Sequence, residues 1–196
     1  MKLLRSENVH ADGLRPLHGE TSRPRPVGDL PVWIGGGTSE KSIDLAAQLG
    51  CPLMLPSVFA PPSAFAPLVE RYREQWRLAG HASEPVVGAC CHAHVAADSQ
   101  TAKQRFRPWY QGYWEWVQEL IVSYTPDARA MPFDYEMMLS GPAMVGSPAE
   151  VVDRVHAAVE LLGLDRMIFM FDLGGIPDDV LYPTLELFGK DVVPHV

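Results

Sequence analysis

The sequence has few cysteines, no long apolar segment and no excess of positive charge, and each absence excludes a class of protein. Its three cysteines, Cys51, Cys90 and Cys91, show no CxxC or CxxH spacing, which argues against a disulfide framework and a zinc knuckle. No window approaches about 18 uncharged apolar residues, and the charged first 30 residues lack the apolar region of a signal peptide. The formal net charge is -8, so the positive surface that binds nucleic acid is missing. We expect a cytoplasmic protein whose partners include neither nucleic acid nor membrane.

The 196 residues suffice for one domain of strand and helix units. Residues 1–30 hold several prolines and glycines without a sustained apolar period, which predicts an irregular lead-in. From Pro31 onward, short apolar runs alternate with amphipathic stretches, as in a parallel sheet with flanking helices. The predicted parallel strands cover residues 31–34, 52–55, 86–95 and 167–171. Between residues 125 and 148 the period is lost, which predicts an excursion or a lid-like loop.

The segment that follows the first strand is the most informative candidate site. It reads Gly35-Gly36-Gly37-Thr38-Ser39-Glu40-Lys41-Ser42 and leads into a helix. Glycines let the backbone approach a ligand closely, and the first-turn N–H groups with the hydroxyls of Thr38, Ser39 and Ser42 could hold a phosphate at the positive end of the helix dipole. The segment is neither a Walker A loop nor a GxGxxG fingerprint. The alternative is a glycine-rich turn followed by an ordinary helix cap.

Three side chains on the third predicted strand offer a second candidate. Cys90, His92 and His94 alternate along it, so all three point to one face of the sheet. A metal site would fit this spacing, but no carboxylate follows at a matching offset, and histidines of buried strands commonly serve packing. Nothing places a base beside Cys90 or Cys91 to make a nucleophile. We therefore predict no metal and assign no catalytic residue.

Aromatic residues crowd the helix predicted from Ser99 to Tyr124 and cover more than one of its faces. They are Phe106, Trp109, Tyr110, Tyr113, Trp114 and Trp116. Packing in a core or an interface is the simpler explanation, while some of them could wall an aromatic ligand. Asp172 follows the last strand, at the edge where parallel sheets bind ligands, and could cap a turn or take part in chemistry.

Five segments from Pro31 onward carry a recognisable series of motifs. They are PVWIGGGTSEKSIDLAAQLGCPLMLPS, ERYREQWRLAGH, VAADSQTAKQRFRPWYQGYWEWV, VGSPAEVVDRV and RMIFMFDLGGIPDDVLYPTLELFGKDVVP. In this order and spacing they resemble the carboxyl-terminal half of the bacterial-luciferase-like flavin-dependent monooxygenases. The resemblance implies an α/β fold, a half β/α barrel of TIM-barrel type in which residues 31–196 supply four parallel strands with flanking helices. It also implies that the phosphate of FMN lies at Thr38, Ser39 and Ser42, with Gly36 and Gly37 lining the approach.

The same resemblance implies an oxidoreductase whose reduced FMN reacts with oxygen and transfers one oxygen atom to a small organic substrate. A deazaflavin that transfers hydride is the alternative cofactor, and a flavin reductase is an implied partner. A full barrel takes about 250 residues, so we expect the first four strand and helix units to be absent. Because the family's active-site histidine and most ring contacts belong to those units, the chain alone should be a poor monooxygenase. The alternative is a catalytically silent half-barrel that binds flavin or phosphate.

A half-barrel also leaves two strands without neighbours. The strands over residues 32–34 and 167–171 would be open edges, and their inward side chains would face an unfilled interior. Exposed apolar edges of this kind favour association with another chain. We expect a homodimer closed about a twofold axis, or pairing with a separately encoded amino-terminal half, in place of a monomer.

Overall fold

The computed structural model describes residues 2–37, 39–125, 127 and 129–196. Its strands are β1 (Val9–Ala11), β2 (Leu17–Glu20), β3 (Ile34–Gly35), β4 (Leu53–Leu55), β5 (Val87–Val95), β6 (Met144–Gly146) and β7 (Arg166–Met170). Its helices are α1 (Lys2–Arg5), α2 (Glu40–Gln48), α3 (Ala66–Leu78), α4 (Ser99–Tyr124), α5 (Tyr135–Ser140), α6 (Pro148–Leu162) and α7 (Asp178–Asp191). Short 3-10 turns cover Pro62–Phe65 and Val193–His195. None of the helices in the described residues combines the length and the apolarity that a membrane crossing requires.

Four strands form a parallel sheet in the order β3, β4, β5, β7. Leu53 of β4 pairs with Ile34 of β3 on one side and with Val87 of β5 on the other. Gly88 of β5 pairs with Arg166 of β7. These are the four parallel strands predicted from the apolar runs, and helices flank them as predicted. The short strand β6 adds a fifth, which pairs with the last three residues of β5.

The prediction of a lid-like loop between residues 125 and 148 is wrong for the second half of that stretch. Helix α5 and strand β6 lie there, and Met138, Ala143 and Val145 are buried in one cluster with Phe106 of α4. Elements of six and three residues are too short to show an apolar period. Their structure comes from the core they enter.

The lead-in is more regular than its composition indicates. Helix α1 is followed by the antiparallel strands β1 and β2, and Val9 is the buried residue of this pair. Arg25 links the end of the lead-in to its beginning. Its guanidinium donates hydrogen bonds to the carbonyls of Leu3 and Ser6 at 2.9 and 3.2 Å. Backbone pairing and one arginine thus order a segment that has almost no apolar pattern. The domain boundary at residue 30 stays a prediction.

The main sheet has one face covered by helices. On β5, Val87 and Ala89 pack in the core formed with α2 and α3, and Cys91, Ala93 and Val95 pack with α6 and α7. Successive residues of a strand point to opposite faces, so every second residue of β5 belongs to this layer. Burying a row of apolar side chains under helices supplies most of the free energy that holds such a layer together.

The opposite face is concave. Helix α4 covers it over His92 and His94 of β5, and it is open along β7. Arg166 of β7 lies over the ring of Trp33, which precedes β3, at 5.3 Å from the ring centroid. On a flat sheet, three interstrand spacings would hold β3 and β7 about 14 Å apart. The contact between Arg166 and Trp33 therefore indicates that the sheet curls toward this face. On β7, Ile168 and Met170 are 45% and 37% exposed there. Apolar side chains thus line the inside of the curl.

Tyr72 of α3 ties the helix layer to the sheet. It is buried, and its hydroxyl donates a hydrogen bond to the carbonyl of Cys51 at 3.0 Å and lies 3.4 Å from the carbonyl of Val86. Val86 directly precedes β5, and Cys51 lies two residues before β4, so one hydroxyl serves the amino ends of two strands. Burial raises the pKa of Tyr72 to about 12, so the hydroxyl stays a donor at physiological pH.

The substitution Tyr72→Phe removes this donor and keeps the ring. We expect the free energy of unfolding to fall by about 1 kcal/mol, because buried carbonyls lose a hydrogen bond. Urea denaturation followed by circular dichroism measures the change. The matched control is Tyr182→Phe on α7, whose side chain is 59% exposed. Equal midpoints for both variants would show that the Tyr72 hydroxyl contributes nothing.

Candidate functional site

The predicted phosphate loop leaves the carboxyl end of β3 and enters α2. Gly36 is buried, and its N–H donates to the carbonyl of Met54 at 3.0 Å, which fixes the start of the loop beside β4. Ser39 occupies the position before the first helical residue with extended backbone, and its carbonyl accepts from the N–H of Ser42 at 3.1 Å. Thr38 lies outside the described residues.

The hydroxyl of Ser39 distinguishes this helix start from an ordinary cap. At the helix start after Asp98 and at the one after Ser147, the capping side chain accepts a hydrogen bond from a first-turn N–H. The Ser39 side chain makes no such bond at α2. The first N–H groups of a helix have no partner within the helix, and among the described residues those of Glu40 and Lys41 have no backbone acceptor. The phosphate site at this loop stays a prediction.

Close packing explains the two glycines of the loop. A Cβ on Gly37 would lie 2.5 Å from Cδ of Pro56 and 2.9 Å from Cε1 of Phe65. A Cβ on Gly36 would meet Ile43 Cδ1 at 3.1 Å. Glycine therefore lets the loop press against the segment after β4. That Gly36 and Gly37 line the approach of a cofactor stays a prediction.

Charges around the start of α2 balance one another. Arg71 of α3 makes a two-pronged ion pair with Asp44, both distances 2.7 Å, and reaches Glu40 at 3.0 Å. The Arg71 hydrogen bond holds the pKa of the Asp44 carboxyl below its usual value. Arg71 is thus engaged by the nearby carboxylates, and Lys41 lies in the first turn of α2 itself.

The residues Cys90, His92 and His94 share one face of β5, as predicted; the two histidines are buried against α4, and Cys90 is partly exposed. His94 stacks on Phe106 at 5.4 Å, and its Nδ1 lies 3.2 Å from the hydroxyl of Thr184. That hydroxyl donates to the carbonyl of Val95, so it accepts from Nδ1–H of His94. Burial raises the pKa of the Cys90 thiol, which disfavours a thiolate nucleophile. Within the described residues, no group of three or more His, Cys, Asp or Glu side chains could hold a metal ion.

His92 is wholly buried and lacks polar contacts. Its ring meets Tyr110 and Tyr113 edge-on, at centroid distances of 5.3 and 4.8 Å. Neither ring nitrogen has a hydrogen-bond partner among the residues that the structure describes. The buried hydroxyl of Tyr110 likewise has no partner among them. Burial lowers the pKa of His92 to about 4, and that of His94 likewise to about 4. Both rings are therefore neutral at pH 7.

The aromatic residues of α4 divide into two groups. Phe106, Tyr110 and Trp114 are buried in the core, which confirms the packing interpretation for these three. Trp109, Tyr113 and Trp116 are partly or largely exposed and line a cleft of about 560 Å³ beside the segment after β7. In that segment, Asp172 accepts a hydrogen bond from the N–H of Gly174 at 2.9 Å and so shapes a turn.

The family model described as luciferase-like monooxygenase matches residues 1–166. The chain belongs to this family. The match includes the lead-in, which the resemblance from Pro31 onward did not cover. None of the curated proteins matches the chain significantly.

Solved structures of this luciferase-like family show the same fold. A monooxygenase from Streptomyces bottropensis is 22% identical with a TM-score of 0.77, and the alignment covers 99% of this chain and 57% of that one. An F420-dependent secondary alcohol dehydrogenase is 19% identical with a TM-score of 0.71, covering 100% and 58%. The oxygenating constituent of 3,6-diketocamphane monooxygenase from Pseudomonas putida, in complex with FMN, is 17% identical with a TM-score of 0.69, covering 99% and 59%.

These coverages confirm the predicted half β/α barrel of TIM-barrel type. The chain spans less than two thirds of each of these luciferase-like structures. Sequence reasoning located the loop at residues 36–42 but missed the residues that shape it, Pro56 and Phe65. No local signal could have found them, because they meet Gly37 only in the folded chain.

Acid should destabilise the protein through its buried histidines. In the unfolded chain their pKa is about 6.5. Between that pH and pH 4 the histidines are protonated in the unfolded state and neutral in the folded state, so the free energy of unfolding falls as the pH is lowered. At pH 5 each histidine should cost about 2 kcal/mol of the unfolding free energy present at pH 7. His92→Phe, which suits the aromatic surroundings, should remove one of the two contributions.

The measurement is urea denaturation of both proteins at pH 7 and pH 5. His156→Gln, at an exposed position of α6, is the control and should keep the full loss at pH 5. If the free energy of unfolding of His92→Phe falls between pH 7 and pH 5 by as much as that of the unaltered chain, His92 is not a neutral buried histidine.

Proposed function

We propose that this chain is the phosphate-binding part of a flavin-dependent oxidoreductase, with the cofactor phosphate held at residues 36–42. The observation that carries the proposal is the start of α2, where the Ser39 hydroxyl makes no capping hydrogen bond. Family membership and neighbours that bind FMN or F420 support a flavin-type cofactor. The loop has the features of an anion site, namely first-turn amides at a helix start, hydroxyls and glycines that allow close approach.

The residues of the loop would bind and orient the cofactor. The hydroxyls of Ser39 and Ser42 and the N–H groups of Glu40 and Lys41 would donate to phosphate oxygens, and Thr38 completes the predicted set. Gly37, wedged against Pro56, would hold the loop in one conformation. When bound, reduced FMN supplies the reaction with oxygen that a monooxygenase needs. A flavin reductase would then be a partner, and a small organic molecule the substrate.

Two cofactors satisfy the same loop. FMN and the deazaflavin F420 both carry a phosphate on the ribityl chain. A site that contacts only the phosphate does not distinguish the two ring systems. We propose FMN, with the deazaflavin as the alternative. Titration of the purified chain with each cofactor, followed by fluorescence of the flavin, decides between them by the lower Kd.

The Ser39→Ala, Ser42→Ala double variant tests the site. Each charge-assisted hydrogen bond to phosphate contributes roughly 1.5 to 3 kcal/mol, and each ~1.4 kcal/mol is a factor of ten in Kd, so the Kd for FMN should rise at least tenfold. Because Ser39 makes no cap bond, stability should change little. The matched control replaces the exposed serines Ser123 and Ser140 by Ala. An unchanged Kd in the double variant would remove the site.

We further propose that the open concave face binds a second copy of the chain. Ile168 and Met170 project from β7 into the open interior, and large apolar side chains gain roughly 1.5 to 3 kcal/mol each on burial. A homodimer closed about a twofold axis would bury the face of both copies. A separately encoded amino-terminal half would cover the same surface. In either case full turnover would require the assembled barrel, and the isolated chain would bind flavin with little activity.

Sedimentation velocity at micromolar concentration should therefore give a mass above the 21.7 kDa of one chain. Ile168→Lys with Met170→Lys should shift the chain toward the monomer, since two ammonium groups would have to be buried. The control places lysines at Val159 and Leu161, which are exposed on α6. A well-folded monomer of the unaltered chain would contradict association through this face, whereas dimers of both variants would place the contact elsewhere.

A further inference from the structure

The aromatic cleft lies where ligands of β/α barrels bind. It is bounded by α4 and by the segment that follows the carboxyl end of β7, and its volume of about 560 Å³ falls in the range typical of small-molecule sites. The residues that matter for its chemistry are Trp109, Gly112, Tyr113, Trp116, Asp172 and Leu173. The phosphate loop follows β3, at the other end of the strand order, and none of its residues lines the cleft.

Its walls are flat and aromatic. Trp109, Tyr113 and Trp116 lie on one face of α4, at the spacing of successive helical turns. The rings of Tyr113 and Trp116 are 6.2 Å apart at 43°, and Trp116 is 58% exposed. Aromatic faces offer a planar ring a large contact area and favourable stacked or edge-on geometry. A planar aromatic molecule is the ligand that such walls fit best.

Two helix-disfavouring residues keep the cleft open. Gly112 lies in the middle of α4, where glycine costs about 1 kcal/mol relative to alanine, and a Cβ there would meet nothing within 4 Å. Packing therefore does not require this glycine. Pro108, one turn earlier, also lines the cleft and removes a backbone hydrogen bond of the helix. A larger side chain at position 112 would therefore project into the open space of the cleft.

Asp172 gives the cleft one oriented polar group. Its Oδ1 accepts hydrogen bonds from the N–H groups of Gly174 at 2.9 Å and Ile176 at 3.4 Å, which fix the carboxylate. Its Oδ2 accepts no hydrogen bond from the part of the chain that the structure describes. The neighbouring walls are apolar or aromatic. A hydroxyl or amino group on the ligand would find its acceptor at this oxygen.

We propose that this cleft binds a planar aromatic substrate that carries a hydroxyl or amino group, with the ring against Trp109, Tyr113 and Trp116 and the donor at Asp172. That the bound molecule is a substrate rests on the proposed flavin-dependent function, whereas the binding itself does not. The cleft and the phosphate loop should be occupied independently, so their failures can be told apart.

The probe is 2-naphthol, and calorimetric titration of the full chain gives its Kd. Gly112→Leu places a side chain into the open space of the cleft without a clash, and the Kd should rise at least tenfold. The matched control is Gly189→Leu on α7, also a helical glycine with nothing within 4 Å of its Cβ position and outside this cleft. Its Kd should stay within about twofold, a change near the ~0.4 kcal/mol scatter of such measurements.

Three results would overturn the proposal. The first is absence of saturable binding of 2-naphthol to the unaltered chain, and the second is an unchanged Kd in Gly112→Leu. The third is a parallel loss of FMN binding in Gly112→Leu, which would assign the cleft to the flavin ring. Should Gly112→Leu fail to fold, Trp116→Ala at an exposed position removes one wall instead and should weaken 2-naphthol binding by a similar factor.

The role of Asp172 is tested with a second probe, 2-methoxynaphthalene, which has the same ring system and no donor. The unaltered chain should prefer 2-naphthol severalfold, and Asp172→Asn, which can keep the turn through its amide oxygen, should lose most of that preference. An equal preference in both proteins would remove Asp172 from the site. The Ser39→Ala, Ser42→Ala variant should bind 2-naphthol normally, so the cleft stands even where the phosphate site fails.

Discussion

Strand β5 is the element on which the other parts depend, because its edges pair with three other strands. It pairs with β4 and β7 along its first half and with β6 at its end. Its odd-numbered residues from Val87 to Val95 anchor the helix layer, and its even-numbered residues include both buried histidines. A substitution at β5 therefore affects the sheet, the helices and the core under α4 together.

The loop at Gly37 depends on the segment that follows β4. Pro56 and Phe65 leave no room for a side chain at Gly37, so the loop is held by packing. Arg71 is engaged by Asp44 and Glu40, and its charge is balanced before any ligand arrives.

The concave face, the phosphate loop and the aromatic cleft belong to one arrangement. Parallel strands bring their carboxyl ends to the same edge, so the segments after β3 and β7 face a common space. The apolar interior below that edge remains open at Ile168 and Met170 in the single chain. A second copy bound as proposed would cover this interior.

The sequence by itself determined the four parallel strands, the helices that flank them and the position of the glycine and hydroxyl loop. These follow from periods and turn residues that act within a few positions along the chain. Only the tertiary structure decided that β6 exists, that Pro56 confines Gly37, and that Trp109 and Trp116 border a cleft while Tyr110 is core. The physical reason is that burial and close approach depend on which distant element covers a face, and that information is not local in the chain.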